Sequence, residues 1–289
     1  MIRKSIFIAA FLFISYELFL RKADITWDTS QNDKSANIIS TQNFLYNYSA
    51  QEMSEDTVII GTSVSRKLIT DSMGKHFISL AFNASNAYDG LELLKLSGKK
   101  PACLLVETNY AKNQILPPEI ENNLKPLSYY SGKFFKSLQL RNQPTGLLVG
   151  WGKNMMRTRI EKLKNEKMAN VSLYQFNLQM NMEKMNESIP DSVLTIRFIV
   201  LRSLIEGFQK NNIKVIFFEV PVNEELQNTT SMVEVRKYFY SYFPKSEFQH
   251  IPLPAENNYS YSDGVHLSLQ SALSYSIYLK NKLHNLTPN

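Results

Sequence analysis

Four short apolar runs separated by helical patterns leave this chain few ways to fold. The runs are Val58-Ile59-Ile60, Phe77 to Phe82, Cys103 to Val106 and Val215 to Val220. Each is rich in β-branched or aromatic residues and too short for a buried helix, so each reads as a strand covered on both faces. Between them, Tyr88 to Leu96 and Val193 to Phe208 repeat apolar residues at helical spacing, and Leu269 to Leu283 forms an apolar helix near the C-terminus. Alternating strand and helix predicts an α/β fold, a three-layer doubly wound and mostly parallel sheet flanked by helices. Such sheets bind ligands beyond the carboxyl ends of their strands, so chemistry is sought just after each run.

With 289 residues and 44% apolar content, the chain can bury one sizeable core. That core is expected in residues 57–289. Residues 1–22 read as an N-terminal membrane anchor, because Ser5 to Leu20 carries Glu17 as its only charge, with Arg3 and Lys4 before it and Arg21 and Lys22 after. As a helix this stretch covers about 24 Å, short of a hydrocarbon core of about 30 Å. No small-x-small cleavage pattern follows, which favours an uncleaved signal anchor over a removed leader. The default orientation of a short, basic-led first helix puts the remainder outside the cytoplasm, periplasmic or at the cell surface. Residues 23–56 are polar and without a sustained period, as in a stalk. An insertion at about 115–190 interrupts the alternation with Tyr129, Tyr130, Phe134, Phe135, Trp151 and a Lys/Arg/Met-rich helical stretch from Lys153 to Met185. A lid, a partner-docking face and a solvated amphipathic helix on the sheet edge all fit it.

The formal charge of +6 comes from 32 basic and 26 acidic residues spread along the chain, which leaves no nucleic-acid footprint and suits an anionic membrane surface or a polysaccharide. Cys103 is the only cysteine and lies in an apolar run, so no internal disulfide forms and a buried structural thiol is expected. His76, His250, His266 and His284 lack metal-ligand spacing, and neither a dinucleotide loop nor a P-loop occurs; no metal and no cofactor is expected. Seven Asn-x-Ser/Thr sequons, the natural yield of an Asn-rich composition, carry no weight.

Two segments carry chemistry. Val58 to Leu68 runs from an apolar strand into Gly61-Thr62-Ser63 and then a helix-compatible stretch, which places Ser63 at a strand's carboxyl end. Gly61 permits a tight turn, and a helix starting after Ser63 would aim N–H groups and dipole at a developing oxyanion. A serine here is equally an ordinary helix cap. The second segment, Tyr259 to Ser268, holds Asp263-Gly264-Val265-His266 before the last helix. An Asp three residues before a His, across a Gly-containing turn, can set a carboxylate beside the imidazole, fix its tautomer and stabilise the imidazolium.

Strand-Gly-x-Ser early and Asp-x-x-His-Leu late resemble the first and last blocks of the SGNH (GDSL-like) hydrolase and acyltransferase superfamily. The likeness spans roughly Thr57 to Leu283 and implies a flavodoxin-like fold with Ser63, Asp263 and His266 as a catalytic triad. Two inner segments extend it. Ser79 to Gly90 resembles the family's strand-to-turn block, with Ser85 or Asn86 where the family has an oxyanion-hole glycine. Leu104 to Tyr110 resembles its Gly-x-Asn-Asp block, with Glu107 in place of the glycine, Tyr110 in place of the aspartate, and Asn109 matching the oxyanion-hole asparagine. Thr62 also departs from the family's Gly-Asp-Ser. Ile213 to Pro221, a strand ending in Val-Pro, is similar to the strand before an active-site loop.

The resemblance implies acyl transfer, with Ser63 as nucleophile, His266 as base, Asp263 as its orienting partner, and Ser63, Ser85 and Asn109 holding the oxyanion. The layout resembles envelope proteins that add or remove O-acyl, chiefly O-acetyl, groups on an extracytoplasmic polysaccharide or glycoconjugate. A membrane acyl-donor protein is a further expected partner. A lipid esterase or thioesterase, and an inactive carbohydrate-binding or assembly subunit, are the alternatives.

Overall fold

Val58, Ile59, Ile60, Leu104 and Leu105 have no exposed surface, the condition of strands covered on both faces. The computed structural model of the chain describes residues 2–23, 25, 27–48, 52–109, 118–164, 171–255 and 258–286. In chain order the elements are α1 (Ile2–Lys22), α2 (Asp33–Asn47), β1 (Thr57–Gly61), α3 (Thr70–Met73), β2 (Phe77–Ala81), α4 (Ala87–Ser97), β3 (Cys103–Glu107), α5 (Pro118–Glu121), α6 (Pro126–Phe134), α7 (Pro144–Lys164), α8 (Val171–Met185), α9 (Asp191–Lys210), β4 (Lys214–Phe218), α10 (Glu224–Gln227), α11 (Thr230–Tyr242), β5 (Gln249–Ile251) and α12 (Leu269–Leu286). They divide into two units: Ser49–Leu116 with Met168–Asn289, and Met1–Tyr48 with Pro117–Lys167.

The first unit is an α/β structure whose strands pair in the order β2-β1-β3-β4-β5, all parallel, with helices flanking the sheet. That order is compatible with a flavodoxin-like fold. The chain moves to one side of β1 to make β2 and to the other side to make β3, so the crevice at the carboxyl ends opens between β1 and β3. Helix α4 lies tight on this centre: a Cβ at Gly90 would sit 2.7 Å from Leu80 O and 2.8 Å from Ile60 Cγ2. Cys103 is buried in β3, and burial pushes its thiol up to about 12.

Three local features go beyond the sequence reading. Strand β5 gives no apolar run to find, being three residues long with polar Gln249 and His250 on the sheet's edge. The helical stretch from Lys153 to Met185 is two helices, α7 and α8, with residues 165–170 outside those described. Helix α8 buries Leu178 and Met185 in the sheet unit's core while Leu173 and Phe176 on it stay exposed.

In the second unit a capped, partly buried helix stands where a stalk was expected. Asn32 caps α2 by accepting from Ser35 N, and α2 buries Ala36, Thr41, Phe44 and Leu45. Its Gln42 donates to Asn123 Oδ1 at 2.9 Å and accepts from Leu140 N at 2.8 Å. The Asn/Gln/Thr content that resembles a linker therefore serves a folded helical unit, in which buried amides satisfy neighbouring backbone. Helix α1 is long but not apolar enough for a membrane span, and among the described residues no helix is. Glu17, 7% exposed, accepts from Lys136 N and Ser137 N at 2.9 Å each and from Arg21 Nε at 3.1 Å. The charge that shortens the apolar stretch thus ties α1 to the inserted segment.

Candidate active site

Strand β1 ends at Gly61, and the chain turns through Thr62, Ser63 and Val64 into a short 3-10 turn, Ser65–Lys67. The backbone of Gly61 is not left-handed. Glycine is required there for space, because a Cβ would fall 2.4 Å from both Glu107 Oε2 and Ser65 Oγ. The helix expected directly after Ser63 is only this turn followed by the four residues of α3, too short to build a useful dipole. What the turn offers is its own amide: Ser63 N–H has no hydrogen bond among the described residues.

The second turn begins after β5 and ends at α12. Asp263 Oδ1 accepts from Val265 N at 3.0 Å and His266 N at 2.7 Å. Gly264 takes φ +86°, open to glycine at little strain. From outside, Asn223 N donates to Gly264 O at 2.9 Å and Asn181 Nδ2 to Asp263 O at 3.2 Å. The turn directs His266 so that Nδ1 lies 2.7 Å from Asp263 Oδ2 and Nε2 lies 2.9 Å from Ser63 Oγ. Burial works to raise the Asp263 carboxyl, but hydrogen bonds from the His266 ring and from the His266 and Val265 backbone hold it below the usual carboxylate range. An ionised carboxylate only accepts, so Nδ1 carries the proton and the Nε2 lone pair faces the serine hydroxyl.

The other two candidate residues stand on the loops after β2 and β3, at the same carboxyl edge. Just before Ser85, Ala84 takes a left-handed backbone, φ +50°. Ser85 Oγ donates to Asp89, a carboxyl raised to about 6 by burial against the pull of hydrogen bonds from Ser85 and the Asn86 backbone. Asn109, 2% exposed, is committed to the segment just beyond β4: its Nδ2 donates to Val220 O at 2.7 Å and its Oδ1 accepts from Val220 N at 2.8 Å. One Nδ2 hydrogen is left over. Tyr110 lies outside the described residues.

Glu107 is the residue whose role at the site went unread in the sequence. It is fully enclosed beneath the Ser63 turn and accepts from Thr62 N at 2.8 Å, Thr62 Oγ1 at 2.8 Å and Ser65 N at 3.2 Å. A glutamate closing an otherwise apolar strand run is the signal that marks it, since a buried carboxylate requires donors nearby. Thr62 and Glu107, two positions where the sequence departs from the pattern it resembles, are bonded to each other. Searched against models of known protein families the chain matches none, and no curated protein is significantly similar, so any account of its activity has to start from the geometry joining Ser63, His266 and Asp263.

Proposed function

We propose that the chain is a serine-dependent O-acyl esterase or transferase of the SGNH (GDSL-like) type, with acetyl as the acyl group and an extracytoplasmic polysaccharide or glycoconjugate as substrate. The observation that carries this is the continuous bond path from Ser63 Oγ through His266 to Asp263, 2.9 and 2.7 Å. It joins two segments of distant sequence at the crevice of a parallel sheet, the place where such sheets bind ligands.

In this mechanism Ser63 Oγ attacks the acyl carbonyl and His266 Nε2 takes its proton. Asp263 keeps the imidazolium in place. Negative charge on the carbonyl oxygen is held by the N–H groups of Ser63 and Ser85 and the remaining Nδ2 hydrogen of Asn109, each such donor being worth about 2.7–4 kcal/mol. His266 then protonates the departing alkoxide, leaving an acyl group on Ser63. Attack by water on that ester makes an esterase; attack by a sugar hydroxyl makes a transferase and calls for an acyl-donor protein upstream.

Membrane association through α1 is supported by its exposed apolar side chains, among them Ile6, Phe7, Phe11 and Leu12, beside Arg3 and Lys4. The test is hydrolysis of p-nitrophenyl acetate and octanoate by the full-length chain in mild detergent, with Ser63→Ala and His266→Ala alongside. Acetate turnover lost in both variants supports the assignment. A folded wild type inert to esters and to a fluorophosphonate removes it, and an octanoate preference moves the substrate to lipids.

A further inference from the structure

We infer that Glu107 and Thr62 together form the positioning device for the nucleophile: the Glu107 carboxyl gathers the donors on both sides of Ser63 and leaves the Ser63 N–H alone to face the substrate. This rests on the function proposed above and assigns a role to residues outside the triad.

The four amides of the turn sort in one way. Thr62 N donates to Glu107 Oε2, Ser65 N donates to the same oxygen, and Val64 N donates to Thr62 Oγ1 at 3.1 Å. Thr62 Oγ1 passes that bond on by donating to Glu107 Oε1. Three of the four N–H groups are therefore spent on holding the loop, and the fourth, on Ser63, is the one with no partner among the described residues. A backbone donor left unpaired at a partly buried turn requires an acceptor, and a carbonyl oxygen becoming an oxyanion is one. Arg66 N donates to Thr62 O at 3.0 Å and fixes the exit of the turn. Thr62 and Ser65 are both buried, so the Oγ of Ser63 is carried on a frame with little room to move.

Glu107 touches neither His266 nor Ser63 Oγ, and its effect is on where Ser63 stands. Burial raises the Glu107 carboxyl while the bonds from Ser65 and Thr62 pull it down, so the donors matter to its charge as it matters to their placement.

The experiment is the rate at which a fluorophosphonate labels the full-length chain; Ser63 Oγ displaces fluoride from phosphorus while His266 takes the proton. Thr62→Val removes the hydroxyl link and keeps the side chain's shape, Thr62→Ser restores the link, and Glu107→Gln replaces one acceptor oxygen by a donor. Labelling of folded Thr62→Val and Glu107→Gln is expected to slow by about 10- to 100-fold, the scale of an ångström-sized misplacement, with kcat for p-nitrophenyl acetate falling and KM holding. Thr62→Ser is expected within about threefold of wild type, the rescue that a merely structural role would not need. If Glu107→Gln does not fold, the Thr62→Val and Thr62→Ser pair decides. Wild-type labelling rates in folded Thr62→Val overturn the inference. A wild type that resists the probe as fully as Ser63→Ala overturns the function itself, and the inference with it.

Discussion

The two turns that meet at the carboxyl edge are held in different ways. The His266 turn is largely its own scaffold: one carboxylate, three residues from the ring it orients, accepts two backbone N–H groups and the ring N–H, and Gly264 supplies the left-handed backbone. The Ser63 turn borrows its carboxylate from another strand, since Thr62 and Glu107 are 45 residues apart. The first conformation is available as soon as a short segment closes. The second exists only when β1 and β3 have paired, as they do from Thr57↔Cys103 to Ile60↔Val106. The placement of Ser63 is thus coupled to the sheet, while that of His266 comes mostly from local bonds.

The largest expected effect tests the local half. Asp263→Asn keeps an acceptor for Val265 N and His266 N but favours the wrong imidazole tautomer, so kcat should fall by about 10⁴-fold while the melting temperature drops only by what the lost carboxylate contributes. Ester kinetics and a thermal melt on one sample check it. A parallel collapse in stability would make this turn as dependent on its charge as the other, and end the contrast.

Next come the two glycines. Gly61→Ala puts a methyl group into Glu107 and Ser65, where little can yield, and should destabilise by about 1–3 kcal/mol in urea unfolding. Gly264→Ala meets chiefly Leu178 Cδ1, the end of a flexible side chain, and leaves mainly the left-handed backbone penalty of about 1–2 kcal/mol. Coupling sharpens the point. Gly61→Ala with Glu107→Ala should fall short of the sum of the two single losses by about 0.5–3 kcal/mol, whereas Gly264→Ala with Glu107→Ala should add.

The same contrast decides what was legible beforehand. Asp263 and His266 were readable because their geometry is written within four residues, and the apolar runs of β1 to β4 because a strand buried on both faces has to be apolar. Glu107 was visible only as an oddity, since nothing in its neighbourhood announces donors on another strand. Strand β5 was not readable: an edge strand of three residues has no apolar run. The polar composition of residues 23–56 pointed to a stalk because buried amides such as Gln42 look like solvated ones until their partners, Asn123 and Leu140, are placed.

A further contrast lies between two carboxyls held by local bonds. Asp263 accepts enough hydrogen bonds to be held below the ordinary range, whereas Asp89, 3% exposed, receives Ser85 and the Asn86 backbone but has one oxygen, Oδ1, with no partner, and burial wins. Their effects on stability have opposite signs. A lowered carboxyl stabilises above its unfolded pKa, and that stability is lost as pH falls through the folded value, so Asp263 favours folding at neutral pH and fails it in acid. A raised carboxyl binds its proton more tightly in the folded state. Asp89 therefore lets stability fall as pH rises from about 4 to about 6, by on the order of 2–3 kcal/mol. Asp89→Asn abolishes that titration while still offering Ser85 an acceptor. Urea unfolding at pH 4.5 and 7.5 should show the variant gaining on wild type between the two. An unchanged difference would mean that the folded Asp89 holds its proton no more tightly than the unfolded chain does, and that the Ser85 and Asn86 bonds offset its burial as fully as the local bonds offset that of Asp263.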